Sequence, residues 1–367
     1  MAEPRVVVSP KENVAETDVL NVQDAQTRIK VIIVEGFKQN IVKTEVERRI
    51  AVVINDAAAR YPPEQRDAIR QSLAINAQKW HWLYSNNLRA IGTAAINKML
   101  RLPEIQNVAK TYSIDVAQIA GLPPSEQRAV IDRFRPYMTE DRYGTPIISE
   151  YDKRVKAQIK VLASDPANLT RVDKNGKAYT VNMRNFAEME VRYQANKTDV
   201  QRLADDGVKL VWASSHSDAS PRCAPYQGRL YSLDGSSGTT ANGEEFTPLD
   251  DALAGPKGDG NGIINGYNCR HRLIEYAANS KAPKEYGDRD TKRENAVTGR
   301  QRQYERDIRN MKIQERLARA DGDKESASDL RSRWQNLTKN YEAYSAQNER
   351  PFYLWRTRVT QDEVNQN

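Results

Sequence analysis

The sequence predicts an α+β chain that is mainly α-helical, with a helical N-terminal region, a small α+β domain around 147–280 and a charged C-terminal helical hairpin. Three observations predict it. Apolar residues recur at helical spacing from Asp24 towards Arg135, LTRV and KAYTV alternate about a glycine turn with a further strand at Val208–Ala213, and two charged helical segments flank Asp321-Gly322-Asp323. The expected segments are therefore 1–20, a flexible arm; 21–135, the helical region; 147–280, the α+β domain; 285–350, the hairpin; and 351–367, a tail. At 39% hydrophobic and 29% charged, the 367 residues suit an elongated, multi-domain chain better than a single ball.

The arm, with Pro4 and Pro10, is polar and of mixed charge, and is expected to be extended. From Asp24, residues Ile29, Ile32, Ile33, Val42, Val46, Ile50, Val53, Ile54 and Ala57 keep a helical period, with Gly36 a place for a kink. Tyr61-Pro62-Pro63 ends this segment, because proline excludes its predecessor from the helical region. A second helix follows from Pro63, carrying Trp80, Trp82 and Tyr84, with His81 read as a packing residue; it stops at Leu102-Pro103. Short helices at 104–110 and 115–120 and one from Ser125 to Arg135 complete the region. After a polar link at 136–145, Ile147–Ala163 reads as a helix. The runs LTRV and KAYTV about Asn175-Gly176 read as a β-hairpin. Phe186–Asp206 is helical up to Gly207, and Val208–Ala213 is a strand. Near the end, Asp290–Ala320 and Ser326–Gln347 form the hairpin, the second helix carrying the stripe Leu330, Trp334, Leu337, Tyr341 and Tyr344. Phe352, Tyr353 and Trp355 would clamp the tail onto the hairpin or onto a partner.

Several classes fall away. The best candidate, Val31-Ile32-Ile33-Val34, is far too short to span a bilayer, so no membrane contact is expected. MAEPRVVVSPKENVAETD has no basic region followed by an apolar core, and no signal peptide is expected there. Two cysteines in 367 residues argue for a reducing compartment, and the sequons at Asn168, Asn196 and Asn336 then read as chance. The net charge of +7 favours a polyanionic partner only mildly, because 49 acids are interspersed among 56 bases.

Chemistry concentrates in 210–276, which runs from LVWASSHSDASPRCAPYQGRLYSLDG to GIINGYNCRHRLIEY and holds both cysteines and two of the three histidines. His216, Cys223, Cys269 and His271 offer two imidazoles and two thiols, a set that would suit tetrahedral zinc. Cys269 and His271 would share one face of a strand, although no Cys-x2-4-Cys pair is present. The structural alternative makes Cys223 and Cys269 small buried residues that meet in a core and are able to form a disulfide, with no cofactor. Asp218 and Arg270 would then pair to hold the two motifs together, and Gln227-Gly228 would turn into a strand at Arg229–Leu233. Asn268, beside Cys269, belongs to the same structural motif.

Catalysis has less in its favour. A zinc deaminase needs His-x-Glu and later Pro-Cys-x-x-Cys, and neither is complete here. A Cys-His dyad has no visible activating context. The glycine-rich arm 235–262 has no Gly-Lys-Ser/Thr and reads as a surface loop that orders on a neighbour. Arg302, Arg306 and Arg309 gather on one helix, where they would meet DNA phosphates or pair with Glu305 and Asp307.

The block SSHSDASPRCAPYQGRLYSLDG, closed by NCRHRLIEY, resembles the tailed-phage minor capsid proteins, the portal-associated minor head family distantly akin to the Mu F-like head proteins. KAYTVNMRNFAEMEVRYQANKTDVQRLADDGVKLVW upstream and GRQRQYERDIRNMKIQERLA downstream extend the likeness. The resemblance implies a structural, non-enzymatic virion protein that is assembled in the host cytoplasm and attached to the portal inside the head. It would support head assembly, DNA packaging or ejection. Its partners would be the portal protein through 21–135, the major capsid or scaffold protein, and packaged double-stranded DNA through Arg302, Arg306 and Arg309. The alternative is a virion-carried hydrolase or toxin-like enzyme centred on His216, Cys223, Cys269 and His271.

Overall fold

The computed structural model describes residues 10–364 apart from 62, 112–115, 120, 139–143, 173–177, 256–257, 259–261, 265–268, 279–281, 285 and 287. It is a mainly α-helical α+β protein. The first helices are α1 (Pro10–Lys38), α2 (Lys43–Ala59), α3 (Pro63–Met99), α4 (Pro103–Thr111), α5 (Val116–Ile119), α6 (Pro124–Met138) and α7 (Gly144–Ser164). Proline stands first in α1, α3, α4 and α6, where its missing N–H costs nothing and its fixed φ is already helical. Helix α1 passes unbroken through Gly36, and the break falls later, at Asn40 (φ 52°). It also begins at Pro10, well before the apolar period that starts near Asp24.

Strands β1 (Asn168–Val172) and β2 (Ala178–Asn182) pair antiparallel, from Asn168 opposite Asn182 to Val172 opposite Ala178. The expected Asn175-Gly176 turn lies outside the described residues. Helix α8 (Met183–Asp205) closes with bonds from Gly207 N to Ala204 O (3.0 Å) and Val208 N to Leu203 O (3.0 Å), which use up its last carbonyls. Then come β3 (Leu210–Ala213), β4 (Leu230–Ser232), β5 (Gly238–Thr239), β6 (Glu245–Pro248), α9 (Leu249–Ala254), β7 (Leu273–Glu275), α10 (Asp288–Asp321) and α11 (Lys324–Gln347). Short 3₁₀ turns at Leu354–Thr357 and Gln361–Val364 end the chain. No helix among the described residues is long and apolar enough to cross a membrane.

The chain divides into two compact units, neither continuous in sequence. One takes residues 20–183, 306–340 and 353–367. In it α3 packs against α2, α6 and α7, and Leu73, Trp80, Ile96 and Met99 are buried with Ile29 and Ile33 of α1 and Ile131 of α6. Trp80 and Tyr84 point inward, whereas Trp82, half a turn away, is 63% exposed. His81 packs on Phe37, with ring centroids 5.4 Å apart. Asn76 imitates a strand neighbour by donating to Asn168 O (2.7 Å) and accepting from Asn168 N (3.0 Å), which docks β1 on α3. The tail lies along α10 in this unit: Arg309 donates to Arg356 O (2.5 Å), Lys312 pairs with Glu363 (2.5 Å), and Val359 is fully buried.

The other unit takes residues 184–305 and 341–352, with the first nineteen residues. It holds a five-stranded sheet in the order β5-β6-β4-β3-β7. Strand β3 is antiparallel to both β4 and β7, while β4 and β6 run parallel. Leu203, Val211, Ala213, Tyr231, Leu249, Ala252, Ile263 and Ile264 form its core together with both cysteines. The glycine-rich arm is therefore not the surface loop expected of it: it contributes β5, β6 and α9. Phe246 and Pro248 turn partly inward while Glu245 and Thr247 stay exposed, and Leu249 and Ala252 are buried. An alternation of four residues inside a glycine-rich run was too short to outweigh its composition.

Candidate functional site

Strand β3 lies between the two halves of the chemistry-bearing stretch. Its C-terminal end leads into His216–Gln227, and its neighbour β7 follows directly on Cys269–Arg272. Val211, Trp212 and Ala213 stand opposite Glu275, Ile274 and Leu273, and the pairing continues past the sheet through Ser214 N to Arg272 O (2.9 Å). This register carries Cys269 and His271 alongside the turn after β3. Both are buried, while Arg270 and Arg272 between and after them are exposed, the alternation of extended backbone.

Residues 216–228 form a compact turn. Cys223 N donates to Ser220 O (2.9 Å) and Gln227 N to Cys223 O (3.2 Å), and Gly228 N returns to Ala213 O (2.9 Å). Gly228 has φ 70°, and a Cβ there would come within 2.9 Å of Ser215 Oγ, so both its conformation and its surroundings require glycine. The Gln227 side chain is the hub. Its Oε1 accepts from His216 N (2.9 Å) and lies 3.1 Å from His271 Nε2, and so joins the two motifs through one atom.

A second link lies beside it. Arg270 Nη2 is 2.7 Å from Asp218 Oδ2, whose carboxylate is 4% exposed, and Thr298 of α10 donates to the same oxygen at 2.8 Å. Nearby, Arg350 pairs with Glu294 and donates to Ser217 Oγ (3.2 Å). Asp218 has its pKa lowered: burial opposes the shift, but the Arg270 guanidinium and the bonds from Arg270 and Thr298 prevail.

Cys223, Cys269 and His271 meet in the core, their Sγ, Sγ and ring nitrogen all within 4.8 Å of one another. Cys269 Sγ lies 3.4 Å from His271 Nδ1 and accepts the Ile264 N–H at 3.0 Å. Ile264 is buried with φ 68°, a conformation that costs a β-branched residue about 1–3 kcal/mol. The strained residue delivers its amide to the sulfur. Both cysteines are free thiols, and they share their protons unequally. The hydrogen bond from Cys269 holds Cys223 far below the usual thiol value, helped by His271, while the same bond and burial push Cys269 up.

His216 stands apart from that trio. Its ring meets His271 edge-on, with centroids 4.7 Å apart, and its Nε2 lies 3.2 Å from Arg270 O and 3.4 Å from Ser214 Oγ. Burial, then the neighbouring His271 and Arg270, lower its pKa to about 4, so it is neutral at pH 7. Asn268 lies outside the described residues.

Of the arginines on α10, Arg302 is half-buried against Glu305 (2.9 Å) and falls in the unit that holds the sheet. Arg306 and Arg309 fall in the other unit, Arg306 exposed and Arg309 donating to Arg356 O. Ile264 and Thr298 were not foreseen. Thr298 is 80 positions from Asp218 and carries no local signal, and nothing in Gly262-Ile263-Ile264 announces a left-handed isoleucine.

No curated protein and no solved structure matches the chain. Residues 150–344, just over half of it, match the family Phage minor capsid protein 2. The match runs from α7 into α11 and takes in the sheet, the Gln227 hub, both cysteines and the three arginines. The wider likeness to Mu F-like head proteins is not shown by it. The chain therefore belongs to the phage minor capsid protein 2 family.

Proposed function

We propose that this phage capsid protein is a structural part of the head, attached to the portal at its inner face, and that it supports head assembly, DNA packaging or ejection. The family match over 150–344 carries the reading. The way the site is built supports it. Gln227, Asp218 and Thr298 clamp two segments some 50 residues apart. Such a site transmits force better than it turns over substrate. On this reading the protein is assembled in the host cytoplasm and resides in the virion, in contact with portal and with major capsid or scaffold protein.

Portal contact falls to the N-terminal helices. Val52 on α2 and Ile75 and Trp82 on α3 are 47%, 58% and 63% exposed, apolar positions on a highly charged chain. Ile75 and Trp82, seven residues apart, share one face of α3. The test is co-purification of the full chain with its portal protein. Trp82→Asp is expected to reduce recovery about tenfold, on the scale of one interface hot spot. Undiminished recovery, with loss instead on Ile274→Asp at the exposed edge strand β7, would move the attachment to the other unit.

A hydrolase centred on His216, Cys223, Cys269 and His271 has one observation in its favour, the lowered Cys223 thiol. Against it, both sulfurs and His271 are buried. Alkylation by iodoacetamide at pH 6 separates the readings. The structural role predicts slow reaction until the chain is unfolded, whereas a catalytic thiolate would react at once in the folded protein.

A further inference from the structure

We propose that Cys223, Cys269 and His271 bind one zinc ion through both sulfurs and His271 Nδ1. The inference goes beyond the capsid role and does not rest on it. A tetrahedral zinc site with bonds of about 2.0–2.3 Å sets its ligand atoms about 3.5–3.8 Å apart. Here the three donor atoms lie within 4.8 Å of one another, and the Cys269 Sγ to His271 Nδ1 distance is 3.4 Å. Small side-chain rotations bring the trio to a common centre. Two thiolates and one imidazole are the soft and borderline donors that select zinc over calcium or magnesium.

The surroundings fit ligation as well as the donors do. Gln227 Oε1 also accepts the His216 N–H, so it acts as an acceptor at His271 and draws the proton onto His271 Nε2. That tautomer leaves the Nδ1 lone pair facing the sulfurs, the arrangement by which an outer carbonyl orients a metal-binding histidine. The Ile264 N–H on Cys269 Sγ is the bond a thiolate ligand accepts. Gly262 fixes where that amide sits: its Cα passes so close to α9 that a Cβ would lie 1.8 Å from Ala252 O. His216 is not needed, since its Nε2 faces the Arg270 carbonyl and Ser214. The ion would cross-link the turn after β3 to the segment entering β7.

The full chain, purified without chelator and dialysed, should carry about one zinc per chain by elemental analysis. Replacement of the zinc by Co²⁺ should give the intense near-ultraviolet absorption of thiolate-bound cobalt. Cys223→Ser, Cys269→Ser and His271→Ala should each lower bound zinc at least tenfold. Gln227→Ala keeps every ligand and should weaken zinc affinity about 10–100-fold while the circular dichroism of the chain is retained. His216→Ala should keep full stoichiometry. A folded wild-type chain without metal that cannot be loaded with Zn²⁺ or Co²⁺ overturns the proposal. So does a Cys223–Cys269 disulfide found in freshly purified protein. Zinc lost on His216→Ala overturns the three-residue assignment.

Discussion

Lys30 is almost wholly buried, donating to Ala163 O (3.1 Å) and Asp165 O (2.6 Å) with its ammonium 4.7 Å above the Trp80 ring. Burial lowers its pKa from 10.5 to about 7, against the partial support of Asp165 and with a small push from Lys79. The unfolded chain then binds more protons than the folded one between pH 7 and 10.5, so stability rises with pH across that window. The gain from pH 7 to pH 9.5 is on the order of 3 kcal/mol for this group alone. Urea midpoints for wild type and Lys30→Met at the two pH values check it. The wild type should gain on the variant as pH rises, and parallel changes in both would show that Lys30 is not the source. A change as small as Gly228→Ala should destabilise by more than 1 kcal/mol, since it meets both a positive φ and Ser215 Oγ; thermal melting reads the loss directly.

At the scale of elements, Arg128 of α6 and Asp321 at the end of α10 form a 2.5 Å pair whose side chains are 9% and 10% exposed. Removing one partner strands the other charge, so Arg128→Ala should cost about 3–5 kcal/mol, with much of that recovered in the double variant with Asp321→Ala. Denaturant unfolding of the four proteins in the cycle measures it; additive losses would mean the two charges do not share one interaction. Much at this scale was legible in the sequence because it is local. Pro63 announced a helix start, Leu102-Pro103 announced the end of that helix, and Asp321-Gly322-Asp323 announced the hairpin turn, where Asp323 Oδ1 accepts Ser326 N at 3.0 Å. Asp218 and Arg270, though far apart in sequence, lie 2.7 Å apart. What depended on distant partners was not legible. Strand β6 exists because β4 offers it a parallel edge, Arg302 is taken up by Glu305 and Arg309 by the Arg356 carbonyl, and Gln227 becomes a hub only once β7 pairs with β3.

For the whole molecule, membership of the phage minor capsid protein 2 family points to a structural role in the phage. DNA contact is the most exposed part of that account, because only Arg306 of the three arginines is exposed. If packaged DNA is touched there, Arg306→Ala lowers the salt slope of duplex binding by about one, while Arg302→Ala leaves it unchanged. Filter binding across a salt series reads both, and equal slopes in wild type and Arg306→Ala would remove Arg306 from any role in DNA contact. The central claim is that the chain is a structural component of the virion held at the portal vertex. Electron cryomicroscopy of purified particles, with this chain traced in the density, tests it most directly. The account predicts density for the helical hairpin and the five-stranded sheet inside the head, against the portal. Particles that are complete and infectious without this chain, or that carry it on the outer shell away from the portal, would contradict it.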